Sequence, residues 1–511
     1  MKYLLGYDIG SSSIKVALLS IDTGKCLASV TSPAQEMEIV AKTAGWAEQE
    51  PARWWQEVLN ATQQLKEKFS FDPALVAGIG ITYQMHGLVL LDKAGQVLRP
   101  AIIWCDSRAV EYGNQAFAEL GEEYCLHYLL NSPGNFTASK LKWVKENEPA
   151  IYEQIHKIQL PGDYIAFQMT GQLQTTVSGL SEGVFWNFRE HNIAQGLLDY
   201  YGLSRDLLPE VVDTFAEHGR LTPEAARVLG LHAGTPISYR AGDQPNNAFS
   251  LNVLHAGEIA ATAGTSGVVY GISETPAADS RSRVNTFVHV NSTEAQPRNG
   301  VLMCVNGTGI LNSWLRKVIG ELPYDEMNDL AAQAPVGAEG LLFLPFGNGA
   351  ERILENRPTT AELHGLSFNR HSRAHVLRAA QEGIVFAFNY GLDIMRGMGV
   401  QVQKVRAGNA NMFLSPVFRE AFVNSGNVTL ELYNTDAAQG AARGAGIGVG
   451  VYASPAEAFG GLERLLTLEP TPALQDQYQG AYARWHRTLT QQILSSPSSS
   501  ILPTHVDEHT F

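Results

Sequence analysis

Gly6-Tyr7-Asp8-Ile9-Gly10-Ser11-Ser12-Ser13-Ile14-Lys15 decides how the chain folds. Apolar stretches on either side of a tight Gly-Ser turn predict two antiparallel strands, over residues 3–9 and 14–19. Asp22-Thr23-Gly24-Lys25 makes a second turn, and residues 26–31 complete a three-stranded meander. Pro51 then stands where the first turn of a helix tolerates it. Trp54, Trp55, Val58, Leu59, Thr62, Leu65 and Phe69 follow at helical spacing. Residues 76–82 read as a buried strand, with shorter strands at 88–91 and 101–104. A meander followed by alternating helix and strand is a mixed α/β layer architecture.

The plan restarts in the second half. Strand patterns at 258–263 and 268–272 flank Gly264-Thr265-Ser266-Gly267. A strand over 284–290, a helix over 311–319 begun near Gly307-Thr308-Gly309, and a strand over 341–345 come next. The longest helical pattern covers 372–396. A strand at 404–407, the turn Gly408-Asn409-Ala410, a helix from Ser415, a strand at 428–433 and a small-residue helix from Asp436 complete the series. The Ser- and Pro-rich stretch 495–511 reads as a loosely held tail. Hairpins turning on Gly and Ser are common, so coincidence is the simpler account of this repeat. The sharper account is a duplicated domain whose two turns face each other across a cleft. A length of 511 residues exceeds one core at roughly 150 residues per domain and suits two large domains.

Composition narrows the function classes. Lys and Arg total 37 against 51 Asp and Glu, a net charge of −14, which argues against a nucleic-acid or anionic-lipid surface while permitting a local anion pocket. Cys26, Cys105, Cys125 and Cys304 lie far apart, so neither a zinc knot nor a disulfide framework is expected. The first apolar stretch is short and broken by Asp8, and no run reaches the ~18 apolar residues of a membrane span. A cytoplasmic protein is the expectation. Glycine, at 48 residues, exceeds the usual ~7%, a sign of tight turns or of backbone that approaches a ligand closely.

Chemistry-bearing residues fall into three groups. A Gly-Ser-Thr turn exposes backbone N–H groups and hydroxyls with few bulky side chains to repel an anion. Asp8, just before the first turn, is placed to hold a Mg²⁺ that bridges phosphates, because Mg²⁺ needs one or two carboxylates when phosphate and water fill the rest; a turn-initiating Asp is the bland alternative. Lys15 reads first as a solvent-facing strand residue. Between the halves, Gly242-Asp243-Gln244-Pro245-Asn246-Asn247 offers a carboxylate that would accept a hydroxyl proton during phosphoryl transfer. Gln84-Met85-His86-Gly87 and Trp104-Cys105-Asp106-Ser107-Arg108 combine polar groups with an apolar wall, a match for a polyhydroxylated ligand. One decoy is present. Gly179-Leu180-Ser181-Glu182-Gly183 fits the G-x-S-x-G elbow of hydrolases, but Val184-Phe185-Trp186-Asn187-Phe188 follows it where a helix is required.

Taken in order, these segments resemble the FGGY carbohydrate kinases, most closely their xylulokinase branch, over residues 3 to 455. The resemblance is carried by the stretch from Gly6 to Lys15, Gly45-Trp46-Ala47-Glu48-Gln49, Gln84-Met85-His86-Gly87, Leu98-Arg99-Pro100-Ala101-Ile102, Gly242-Asp243 and Gly264-Thr265-Ser266. It implies two α/β domains of ribonuclease-H-like, actin-like ATPase fold closing a cleft over Mg-ATP and a sugar. The expected division is 1–245 on the sugar side, 246–490 on the ATP side and a flexible tail at 491–511. Asp243 matches the family's catalytic base and Asp8 its metal-side carboxylate. Met85 and His86, with Gln84, match its sugar-contacting segment, and Asp106 resembles part of the same pocket. Gly10, Ser11, Ser12 and Ser13 form the first phosphate turn. Gly264, Thr265, Gly307, Gly408 and Asn409 fall where the family binds nucleotide.

Three departures stand out: Arg240-Ala241-Gly242-Asp243-Gln244 for Gly-Gly-Gly-Asp-Asn, Trp104-Cys105-Asp106 for Trp-Asn-Asp, and Ala407-Gly408-Asn409-Ala410-Asn411 for the late glycine triplet. The expected activity is ATP-dependent phosphorylation of a ketose, with xylulose first and ribulose, fructose, rhamnulose or glycerol as rivals. An actin-like ATPase switch, the alternative from another class, would keep Asp8 and the turns without needing Met85, His86, Asp106 or Asp243. The expected partners are a small sugar and ATP, with no nucleic acid or membrane, and a homodimer is left open.

Overall fold

Strand β1 (Tyr3–Ile9) is apolar on both faces, every residue but Asp8 being buried, and so it takes a central place in a sheet covered on both sides. The computed structural model describes residues 1–349, 351–357 and 359–495. β1 pairs antiparallel with β2 (Ile14–Ser20), which pairs antiparallel with β3 (Cys26–Ser32). On its other edge β1 pairs in parallel with β4 (Val76–Tyr83), and β4 with β5 (Ile237–Gly242). The order across the sheet is therefore β3-β2-β1-β4-β5. Helix α1 (Pro51–Lys68) lays its buried stripe of Trp54, Val58, Ala61 and Leu65 against one face. The long insertion between β4 and β5 carries α2 (Thr137–Asn147) and α3 (Val177–Glu182).

Helix α4 (Asp243–Ser250) leads into the second sheet. It is built from β6 (Glu258–Ala263), β7 (Gly267–Ser273), β8 (Asn285–Val288), β9 (Asn299–Val305), β10 (Lys404–Gly408), β11 (Thr429–Tyr433) and β12 (Arg464–Leu468), in the order β8-β9-β7-β6-β10-β11-β12. With the two edge strands removed, β9-β7-β6-β10-β11 repeats the first sheet strand for strand, with the same parallel and antiparallel senses. The repeated hairpin is thus a repeated domain plan. Helices α5 (Gly309–Val318), α6 (Arg373–Gly397), α7 (Ala437–Gly448) and α8 (Pro472–Ser495) complete this half.

Two helices cross between the halves. α4 follows the fifth strand of the first sheet and lies between the sheets, touching β4 and β5 on one side, β6 and β7 on the other and α7 beside it, whereas α7 follows the corresponding β11 yet packs on β1, β4 and β5. The α7 contact is backbone to backbone. Gly6 and Gly80 are cross-strand neighbours, and a Cβ on either would come within 1.9 Å of a carbonyl oxygen of α7, Ala438 O or Ala441 O. Ser238 Oγ donates to Ala445 O at 3.0 Å and Asn246 Nδ2 to Ala437 O at 2.9 Å. Around this contact Leu4, Leu19, Tyr239 and Phe249 form one core with Ala438, Ala441, Ala442 and Ala445.

Three expectations are adjusted. The segment 284–290 becomes only the edge strand β8; the inner strand is β9, whose Asn299-Gly300 start has the look of a turn. Gly300 is there because a Cβ would come within 1.8 Å of the Tyr270 hydroxyl. The division expected between 245 and 246 falls inside α4, which begins directly where β5 ends. Helix α8 runs on to Ser495, so the first residues assigned to the tail are helical, and 496–511 lie outside the described residues.

Gly6→Ala and Gly80→Ala are each expected to cost about 3 kcal/mol by overpacking a helix that has no side chain to yield. The check is the urea midpoint, lowered at unchanged slope; an unmoved midpoint would mean that α7 does not rest on these glycines.

Candidate active site

Parallel pairing brings the carboxyl ends of three strands together. Ile9 lies opposite Tyr83, and Tyr83 opposite Gly242. Whatever follows each strand shares that edge: the Gly10–Ser13 turn, the Gln84–Gly87 segment and Asp243. Ligands of open α/β sheets bind at such edges. Asp8 is the penultimate residue of β1, and Asp243 is the first of α4. A third carboxylate, Asp436, caps α7 and accepts from Gln439 N at 3.0 Å. Because α7 rests on Gly6, its capped end comes near Asp8. Burial, then the charges of Asp243 and Asp436, push the Asp8 carboxyl up to about 7 against the pull of Lys15. Burial pushes Asp243 up to about 6, opposed by hydrogen bonding at Gln244. Lys15 Nζ lies 3.4 Å from Asp436 Oδ2, so this half-buried lysine reaches a carboxylate of the candidate site as well as solvent.

The Gln84–Gly87 segment is held from several sides. Gln84 N donates to Ile9 O at 2.9 Å. Its buried side chain meets Gln49 Oε1 at 3.4 Å, while Gln49 Nε2 donates to Ser11 O at 2.7 Å. Gln84 thereby supports the first turn. His86 has a left-handed backbone, φ 63°, kept there by Lys140 Nζ of α2, which donates to His86 O at 2.8 Å. Since Glu182 O can only accept, His86 Nδ1 carries the proton and donates to it at 2.9 Å, leaving Nε2 as an acceptor. The ring packs edge-on against Phe136 at 4.8 Å and against Phe287, from the second sheet, at 5.5 Å. Burial first, and then the charges of Lys140 and Arg352, hold the imidazole down to about 3. His86 is neutral. Met85 is 4% exposed and lies against Gly242.

Asp106 stands in the same wall with its carboxylate already engaged. It is fully buried and accepts from Ala47 N at 2.5 Å and from Arg108 Nη2 at 2.6 Å. Arg108 also reaches Glu48 Oε1 at 2.8 Å and lies 3.7 Å from the centre of the Trp46 ring. Asp106 thus braces the Gly45–Gln49 strip behind the first turn.

The second sheet presents an equivalent edge. β6, β10 and β11 run parallel, so Gly264, Gly408 and the start of Asn409 gather at their carboxyl ends. Gly309 N donates to Gly264 O at 2.9 Å and Ile310 N to Thr265 O at 3.1 Å, which joins the hairpin turn to the start of α5; Asn409 N donates to Tyr433 O at 3.1 Å. Gly307 lies beside this edge for a packing reason, because a Cβ would come within 1.5 Å of Pro345 O. Its N–H donates to buried Glu351 at 3.2 Å, as does Asn306 N at 2.9 Å. The nucleotide-side and sugar-side expectations therefore fall on two sheet edges, with Asp436 of α7 close to Asp8 between them.

Four residues that the structure brings to the candidate site had little or no sequence signal. Asp436 reads as an ordinary helix cap and Lys15 as a surface lysine. Lys140 is one lysine in a helix, and Glu182 is hidden inside the G-x-S-x-G decoy. That motif lies within α3 rather than at a strand–helix elbow, and Ser181 Oγ is occupied, donating to Ser178 O at 2.7 Å and accepting from Val288 N at 2.9 Å. Among the described residues no group of three His, Cys, Asp or Glu side chains is arranged to hold a metal unaided. Asp8 still fits a divalent ion that brings its own phosphate and water ligands, since its ionisation is opposed by two neighbouring carboxylates. No helix among the described residues is long and apolar enough to cross a membrane.

Comparison with known proteins bears on what this arrangement serves. Residues 3–250 match the N-terminal domain of the FGGY family of carbohydrate kinases and residues 259–439 its C-terminal domain. The xylulose kinase of Escherichia coli K12 is 31% identical over 497 residues, covering 96% of this chain and 99% of that protein. The xylulose kinase of Haemophilus influenzae is 29% identical over 503 residues, covering 95% and 99%. The crystal structure of xylulose kinase from Rhodospirillum rubrum superposes with a TM-score of 0.85 at 25% identity, covering 96% of this chain and 99% of that one.

The raised Asp8 carboxyl has a measurable consequence. It binds its proton more tightly folded than unfolded, from 3.8 to about 7, so its contribution to stability falls as pH rises across that window. Asp8→Asn removes the titration. The melting temperature of the variant minus that of wild type, without metal, should increase from pH 4 to pH 7 and level off above. A difference flat across that range would mean that Asp8 is not held in this environment.

Proposed function

Since this chain belongs to the FGGY family of carbohydrate kinases and is an ATP-dependent sugar kinase, we propose that its substrate is a ketose, xylulose, phosphorylated at the terminal hydroxyl to give xylulose 5-phosphate. The observation that carries this reading is the pairing, at one sheet edge, of a carboxylate at the head of α4 with a neutral histidine turned into an aromatic wall. Asp243 is the base: it takes the hydroxyl proton as that oxygen attacks the γ-phosphate. His86, uncharged and with Nε2 free to accept, orients a sugar hydroxyl, and Met85 supplies the apolar face beneath the carbon chain. Asp106 acts at one remove, bracing the strip that supports the first turn. The xylulose kinases among the relatives support xylulose over other ketoses.

Phosphoryl transfer asks mainly for positioning and charge stabilisation. The Gly10–Ser13 turn and the Gly264–Thr265 turn supply backbone N–H groups, and Gly408 and Asn409 leave an open floor on the nucleotide side. Mg²⁺ bound with the nucleotide would be held by Asp8 and would neutralise charge on the phosphates. Lys15 would exchange Asp436 for a phosphate oxygen. Closure of the two halves over the bound pair excludes water and so limits idle ATP hydrolysis.

Asp243 must be ionised to act, so kcat/KM for xylulose should fall as pH drops below about 6. Asp243→Asn should lower kcat by ~10³ while sparing nucleotide affinity, in line with the usual worth of a general base. ADP release across pentuloses, hexuloses and polyols tests the whole reading. It fails if no ketose raises turnover above basal ATP hydrolysis, or if glycerol outperforms every ketose.

A further inference from the structure

Glu182 is the last residue of α3, the helix that contains the decoy motif, and its side chain is fully buried. It adjoins two parts of the wall assigned to the sugar, His86 and the Met85–Gly242 contact. Its backbone oxygen accepts from the His86 ring at 2.9 Å. Its carboxyl lies against Gly242, the residue before Asp243: a Cβ there would come within 2.2 Å of Glu182 Oε2 and within 2.6 Å of Met85 Cγ. Glu182, Met85 and Gly242 therefore share one packed volume, directly beside Asp243.

We propose that Glu182 is a specificity-determining residue, whose side chain sets the depth of the sugar pocket by filling the space behind Met85 and Gly242 and so favours a five-carbon ketose over longer ones. This rests on the kinase reading above. Burial, with the nearby charges of Asp243 and Asp163, pushes the Glu182 carboxyl well above its ordinary range, which favours its uncharged form; the proposal itself rests on the volume it fills beside Met85 and Gly242. Methionine is unbranched and adaptable, so with Glu182 truncated the Met85 side chain drops into the vacated space and the pocket deepens from its floor. His86 keeps its hydrogen bond, because that bond is to the Glu182 backbone.

The test is the ratio of kcat/KM for fructose to kcat/KM for xylulose. Glu182→Ala should raise that ratio by ~10-fold, within the range that one methylene of pocket space is worth. Glu182→Gln, uncharged and equal in volume, should leave it within about twofold. If the alanine variant does not fold, Glu182→Asp, which keeps the carboxyl and removes one methylene, is read instead, with a smaller rise in the same direction. A ratio unmoved in the shortened variant overturns the proposal. So does a glutamine variant that shifts the ratio as far as the shortened one, since charge rather than volume would then be at work. A wild-type enzyme that turns over neither ketose overturns the kinase reading itself, and the inference with it.

Discussion

The contact of α7 with the first sheet is the constraint on which the rest depends. Helix and sheet meet at backbone distance because Gly6 and Gly80 present no side chains where Ala438 and Ala441 turn their carbonyls toward them. Interiors pack at crystal-like density, so such a contact has one depth and one register. It fastens the second half of the chain to the first and brings the capped end of α7 near the end of β1. The separation of Asp8 from Asp436 follows from this, and so does the reach of Lys15 across to Asp436.

Charge in the cleft is arranged against the ordinary preferences of its groups. Burial raises the Asp8 and Asp243 carboxyls to about 7 and about 6, while His86 is kept uncharged by burial beside two cations. The two carboxylates therefore carry a burial cost in their ionised forms. A cation beside Asp8 or a hydroxyl beside Asp243 would relieve a penalty that the fold has already imposed, which is how a site gains affinity without a basic surface. The net charge of −14 is compatible with nucleotide binding for this reason.

Much of the fold was legible in local pattern. The two hairpins, the α1 stripe and the long α6 helix follow from apolar periodicity and turn residues, signals confined to neighbours in sequence. β9 was passed over because its glycine answers to Tyr270, a residue on another strand. Of the site, Asp8, Asp243 and the Gln84–Gly87 segment were visible because each follows a strand pattern directly. Asp436, Lys140 and Glu182 were not, since each takes its role from a residue far away in the chain. Glycine itself was only partly understood. Packing alone demands glycine at position 307, where Pro345 leaves no room for a side chain, and Gly6 and Gly80 serve the packing of a helix.

The amino-acid sequence by itself determined the repeated strand-turn-strand plan, the family and the candidates for the site, because these depend on residue type and short-range spacing. Only the tertiary structure decided that Asp436 comes near Asp8, that Lys15 reaches Asp436, that Ala47 and Arg108 engage the Asp106 carboxylate, and that Glu182 lies against Gly242. Those outcomes depend on close approach between segments up to several hundred residues apart, and no local pattern encodes the distance at which two packed backbones come to rest.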